Sequence, residues 1–194
     1  SWQEAVAFFG QAGFDGIDLI CDDEYACAIP LDANPSLMWE VREALSRAGL
    51  ELASITPYAK HLNALDEALR RANVDRMVRA CRIAEGLGCH SVRLWGGDEP
   101  EPSHRDRSRE TLIRTLREVG SMALQAGVTL HLECHCGTLA ASVADATAII
   151  DEVGLANIDV LYDPGALIPC GAMSPLDDLH RAAGRIGFVH VKDL

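Results

Sequence analysis

Leu124–His135 reads LQAGVTLHLECH, and the fold is decided in this stretch. A helix closes on Leu-Gln-Ala, Gly127 stops it, and a short strand follows in which polar and apolar side chains alternate. Glycine just past a helix end takes up the left-handed backbone that satisfies the last carbonyls. Along the strand, Thr129, His131, Glu133 and His135 share one face, while Leu130, Leu132 and Cys134 share the other. If the apolar set lies against helices, the opposite side carries two histidines and a glutamate.

The same helix–glycine–strand unit recurs in FGQAGFDGIDLI, LSRAGLELASI and AEGLGCHSVRLW, with stop glycines at Gly13, Gly49, Gly88 and Gly127, separated by 36, 39 and 39 residues. That period suits stacked βα units. Strands are expected at 16–21, 51–56, 91–95, 129–133, 158–163 and 187–192, with long helices over 66–85 and 104–126 and a shorter one over 2–12. Asn34-Pro35 and Ser174-Pro175 each place a capping side chain before a proline suited to the first helical turn. Strict alternation implies parallel strands with right-handed crossovers. No strand is followed by the glycine-rich phosphate turn of a dinucleotide fold, so a parallel (β/α)8 TIM barrel is the expected architecture. The expected domain is a single barrel over residues 1–194, incomplete at both ends, with its first strand and last βα unit or units missing from this chain.

Composition narrows the partners. A formal net charge of −12 disfavours a nucleic-acid backbone, which calls for clustered Lys and Arg. The basic tract HRDRSRE at 104–110 reads as a solvated helix face. Seven cysteines, mostly in apolar runs, fit a reducing cytosol better than a secreted disulfide framework. No apolar run approaches the length of a membrane span. A cytoplasmic protein with a small-molecule partner is expected, with no nucleic acid and no membrane, and with homo-oligomer assembly left open.

Two more strand-like runs end as Thr129–Glu133 does, on a residue suited to a metal: VLYDP places Asp163, and GFVHVKD places His190 and Lys192 on one face with Phe188. Neighbouring parallel strands about 5 Å apart would bring Glu133, Asp163 and His190 to one point. Two carboxylates and an imidazole suit a hard or borderline divalent cation. In SVRLW, Ser91, Arg93 and Trp95 are expected inward by the same alternation. So many inward polar and charged groups exceed what a structural core tolerates unless they are paired or metal-bound.

GFDGIDL, ECHCGTL, YDPGAL and HVKDL resemble, in order and spacing over nearly the whole chain, the strand-end motifs of the xylose-isomerase-like TIM-barrel superfamily, the sugar phosphate isomerase/epimerase family. The resemblance implies one divalent metal, Mn²⁺ or Mg²⁺ first and Co²⁺ or Zn²⁺ next, held by Glu133, Asp163, His190 and a second glutamate from a last strand that the sequence lacks. It implies that Glu133 doubles as one of two acid/base carboxylates. The expected activity is isomerisation or epimerisation of a sugar or polyol-derived ketose, by proton transfer through a metal-stabilised enediolate. His135 and Lys192 join Glu133 as expected catalytic residues, and Arg93, Trp95, Asp18 and His61 are the expected substrate contacts.

Each residue also has a plainer reading. Glu133 could pair with Arg93; Asp163 begins Asp-Pro-Gly turn chemistry; His190 could be a satisfied core histidine; Trp95 could be rim packing; Lys192 and Arg93 could pair with Asp18. His131 lies one layer deeper and is expected only to orient other groups. Alternation separates Cys134 and Cys136 from His135, so the cysteines are expected to pack rather than to bind zinc. A dehydratase of inosose or dehydroshikimate type, and a non-catalytic sugar-binding or regulatory barrel, are the competing functions. An apurinic-site endonuclease is disfavoured because Ala166 stands where that branch would have a histidine. The loop from Cys21 to Pro35, acidic at Asp22-Asp23-Glu24, is expected to close over the mouth and to disfavour heavily phosphorylated substrates.

Overall fold

Local signals set most helix ends. In the computed structural model, which describes residues 1–171 and 175–192, helix α2 (Pro35–Ala48) starts with the Asn34 side chain accepting from the Leu37 amide at 3.0 Å. Asp66 caps α3 (Glu67–Leu87) through the Leu69 amide at 2.9 Å. Ser1 and Glu4 form a reciprocal capping box on α1 (Trp2–Gln11). The four expected stop glycines all carry positive φ, from 67° at Gly127 to 80° at Gly13. Helices α4 (Arg105–Gln125) and α5 (Val143–Val153) complete the outer layer over the first five strands. The second Asn/Ser-Pro start lies partly outside the described residues: Ser174 is not described, and α7 is Pro175–Arg181.

Between the helices run β1 (Gly16–Ile20), β2 (Glu51–Thr56), β3 (Ser91–Leu94), β4 (Thr129–Glu133), β5 (Ile158–Tyr162) and β6 (Ile186–Val189). They form one sheet in the order β1-β2-β3-β4-β5-β6, and every pair is parallel. This is the strand arrangement of a TIM barrel over six of its units. The core lies between sheet and helices, where Leu19, Ile55, Val92, Leu94, Leu130, Leu132 and Val160 are essentially inaccessible. Arg70, 2% exposed, joins α3 to α4 by hydrogen bonds to Glu67, Thr115 and Glu118.

Several strands end earlier than the alternation suggests. Cys21, Trp95, Asp163 and His190 follow the last ladder residue instead of belonging to it. The site residues thus sit where the backbone leaves the sheet, which frees their side chains from the strict pleat. The loop after β3 is tied to the loop after β4 by Glu99 N–H to Gly137 C=O at 2.8 Å and Leu139 N–H to Gly96 C=O at 3.2 Å. Val189, which ends β6, and Val191 just beyond it are 48% and 86% exposed.

The acidic loop is anchored to a helix distant in sequence. Asp22 is 2% exposed and turns towards α3, accepting from Arg76 at 2.7 Å and from the Glu24 and Tyr58 amides. Glu24 meets the same arginine at 2.8 Å, and Asp23 accepts from the Leu31 amide. These carboxylates thus hydrogen-bond within their own loop and to α3, where Arg76 offsets part of their charge. Cys134 is a buried free thiol, as expected, but Cys136 is disulfide-bonded, against the packing role read from alternation. Among the described residues no helix is long and apolar enough to cross a membrane.

Candidate metal centre

The C-terminal ends of β4, β5 and β6 converge as the sequence suggested. Glu133 closes β4, Asp163 follows β5 and His190 follows β6, and one donor atom of each lies within 4.8 Å of the others. His190 Nδ1 is 3.6 Å from Asp163 Oδ2 and 3.7 Å from Glu133 Oε1. Donors that each sit about 2.1 Å from one cation lie roughly 3–4 Å apart, so the spacing fits one divalent ion.

Asp163 supplies the sharper test of fit. It is fully buried and its Oδ1 caps the short helix α6 (Pro164–Leu167) through the Ala166 amide at 2.9 Å. Its Oδ2 is buried without a hydrogen-bond donor, although Lys192 Nζ approaches to 2.5 Å as an ion pair outside hydrogen-bonding geometry. A buried carboxylate oxygen left to a long, half-exposed lysine is suited to accept a cation.

Glu133, 3% exposed, divides its two oxygens. Oε2 accepts from Arg93 Nε at 2.5 Å and also meets Nη2, while Oε1 faces His190. Burial alone would raise its pKa, but the neighbouring His190 imidazole and the Arg93 charge outweigh it and bring the carboxyl to about 2. His190 moves the other way, to about 9, because the nearby carboxylates of Asp18 and Glu133 outweigh its burial. A cation on these donors would take the place of that proton.

The arginine is held on both faces. Its guanidinium carbon is 5.0 Å from the Tyr58 ring centre and 4.5 Å from that of Trp95, and Nη1 donates to the Pro57 carbonyl at 3.4 Å. Every guanidinium nitrogen therefore has a protein partner, and Arg93 serves Glu133 first. Tyr25 lies against Tyr58 at 4.8 Å, and Trp95 against His135 at 4.7 Å, extending an aromatic wall along the strand ends. His135 Nδ1 is 2.6 Å from the Cys136 carbonyl. The pairing of Arg93 or Lys192 with Asp18, open from the sequence, does not form: Asp18 Oδ2 lies 3.4 Å from His190 Nε2 instead. His61 sits on the loop after β2, half-exposed and paired with Asp98. Sequence reasoning passed over Tyr58, although an aromatic just past β2 stands as Trp95 does just past β3.

The family model for the xylose isomerase-like TIM barrel matches residues 6–194. The chain belongs to that family. Among its relatives, a probable L-ribulose-5-phosphate 3-epimerase of Mycoplasma pneumoniae is 24% identical over all of this chain and 64% of its own length. The 3-keto-D-glucoside 4-epimerase of E. coli superposes with a TM-score of 0.83 at 18% identity, over 99% of this chain and 74% of that one. A Mycobacterium smegmatis barrel of the family, solved in complex with magnesium, gives 0.79 at 22% identity, over 99% and 66%. The chain thus spans about two thirds of the length of such curated relatives.

Proposed function

We propose that this chain carries the metal-holding half of the active site of a sugar isomerase or epimerase acting on a ketose. The observation that supports it is the Glu133–Asp163–His190 cluster, with its buried Asp163 oxygen short of a hydrogen-bond donor. Epimerase names among the relatives favour the same reaction class. Mn²⁺ or Mg²⁺ suits two carboxylates and an imidazole, and the magnesium complex within the family agrees; Co²⁺ or Zn²⁺ could take the same donors. Bound there, the ion would polarise the substrate carbonyl and acidify the neighbouring C–H.

The chain's own residues do the rest. Glu133 accepts the substrate proton, and Arg93 keeps that carboxylate ionised and still. A carboxyl held near 2 stays ionised and is a weak base, so proton transfer to it needs an already acidified C–H. Lys192, 45% exposed on its side chain, can leave Asp163 and donate to a substrate oxygen. Trp95 and His135 form the wall on which an apolar sugar face rests, with His135 able to exchange a proton there.

Metal analysis of the full-length protein should find about one divalent ion per chain. Solvent deuterium should enter a substrate C–H when ketoses and their 5-phosphates are screened. Absence of bound metal under saturating Mn²⁺ defeats the reading. Sugar binding without exchange identifies a binding barrel, and an enone absorbance identifies a dehydratase.

A further inference from the structure

We propose that Asp18 is a positioning residue for His190: it holds the proton on Nε2 so that Nδ1 presents its lone pair to the cation. This rests on the metal-centre reading and adds a role for a residue expected to touch substrate. His190 uses its two nitrogens on opposite sides. Nδ1 faces the carboxylates of Asp163 at 3.6 Å and Glu133 at 3.7 Å, and Nε2 faces Asp18 Oδ2 at 3.4 Å. A neutral imidazole has one N–H, and the hydrogen bond at one nitrogen decides which nitrogen is left to a metal.

Two features indicate that Asp18 is aimed rather than merely nearby. It lies on β1 and His190 follows β6, the two outermost strands of the sheet order, so the contact crosses the mouth of the barrel. The β1–β2 register also shifts between Ile17 and Asp18. Such irregularities re-aim the side chains beside them. The Phe188 ring packs edge-on to the imidazole at 5.8 Å and supplies no polar partner. Asp18 is therefore the residue that selects the tautomer.

The test uses the full-length protein labelled with ¹⁵N-histidine and loaded with ¹¹³Cd²⁺. Wild type should show one-bond ¹¹³Cd–¹⁵N coupling to Nδ1 of His190 and a slowly exchanging Nε2–H. Asp18→Ala should weaken Cd²⁺ binding about 10–100-fold and lose that slow exchange, with circular dichroism unchanged. Asp18→Asn, which keeps an acceptor oxygen, should fall between the two. Coupling to Nε2 in wild type, or wild-type affinity in both variants, overturns the role of Asp18 alone. Failure of wild type to bind Cd²⁺ overturns the metal centre and this inference with it.

Discussion

Two histidines of the barrel interior each lean on a carboxylate, and they are built for opposite ends. His131 Nδ1 lies 2.5 Å from Asp159 Oδ1, in the layer below the candidate centre, and its Nε2 is buried without a partner. Asp159 fits because residue 187 is glycine: a Cβ there would fall 1.9 Å from Asp159 Oδ2. That layer is a single matched pair, closed by packing. His190, one layer up, faces Asp18, Glu133 and Asp163 together, and beyond the fixed Arg93 the balancing charges are an exchangeable proton and a half-exposed lysine. Both of those cations can leave. A fixed pair stabilises a layer, whereas a cluster balanced by removable cations leaves room for a metal.

The largest effect should come from removing the one cation of the upper layer that cannot leave. Arg93→Met strands a buried carboxylate and should cost about 3–5 kcal/mol of stability in urea melts of the metal-free protein. A loss below about 1 kcal/mol would mean that Glu133 is better solvated than its burial implies. Asp163→Asn should lower Mn²⁺ affinity more than about 100-fold, measured by calorimetry, with the fold retained. Asp159→Asn should leave that affinity within about twofold, since it belongs to the fixed layer; a comparable loss would erase the distinction between the layers.

Acidity should separate them again. Glu133 is lowered from 4.5 to about 2, so its contribution to stability is present above 4.5 and lost as pH falls through about 2. His190 is raised from 6.5 to about 9, so its contribution is present below 6.5 and lost as pH rises through about 9. In EDTA, unfolding free energy should fall on both flanks. Saturating Mn²⁺ should remove the alkaline fall, because the ion substitutes for the His190 proton. Persistence of that fall with metal bound would place the ion elsewhere.

Smaller effects refine the comparison. Gly187→Ala should destabilise by about 1–3 kcal/mol through collision with Asp159, while metal affinity stays within twofold of about the wild-type value. Tyr58→Leu should cost only about 0.5–1 kcal/mol, with Tyr58→Phe restoring most of it in thermal melts. Equal losses in both variants would make the hydroxyl, not the ring face under Arg93, the important group.

How much of this was legible in the chain follows the same division. LHLECH shows by period-two alternation alone that His131 and Glu133 share the inward face, and VLYDP and GFVHVKD place Asp163 and His190 at matching strand ends. The recurring glycine stop gives the βα order without any contact being known. The Arg93–Glu133 pair was visible only as an alternative, since alternation assigns a face and leaves the partner open. The acidic loop shows its charge but not its partner: Arg76, far along the chain on α3, meets both Asp22 and Glu24.

By itself, then, the sequence determined the order of elements, the inward face of β4 and the three residues of the candidate centre, because these depend on local backbone geometry and short periodicities. Tertiary structure alone decided which oxygen of Glu133 is occupied, that Tyr58 and Trp95 close on Arg93, and that Asp18 meets His190 from across the mouth. Those contacts depend on how the sheet curves and where each backbone leaves it, which brings together side chains that no local pattern relates.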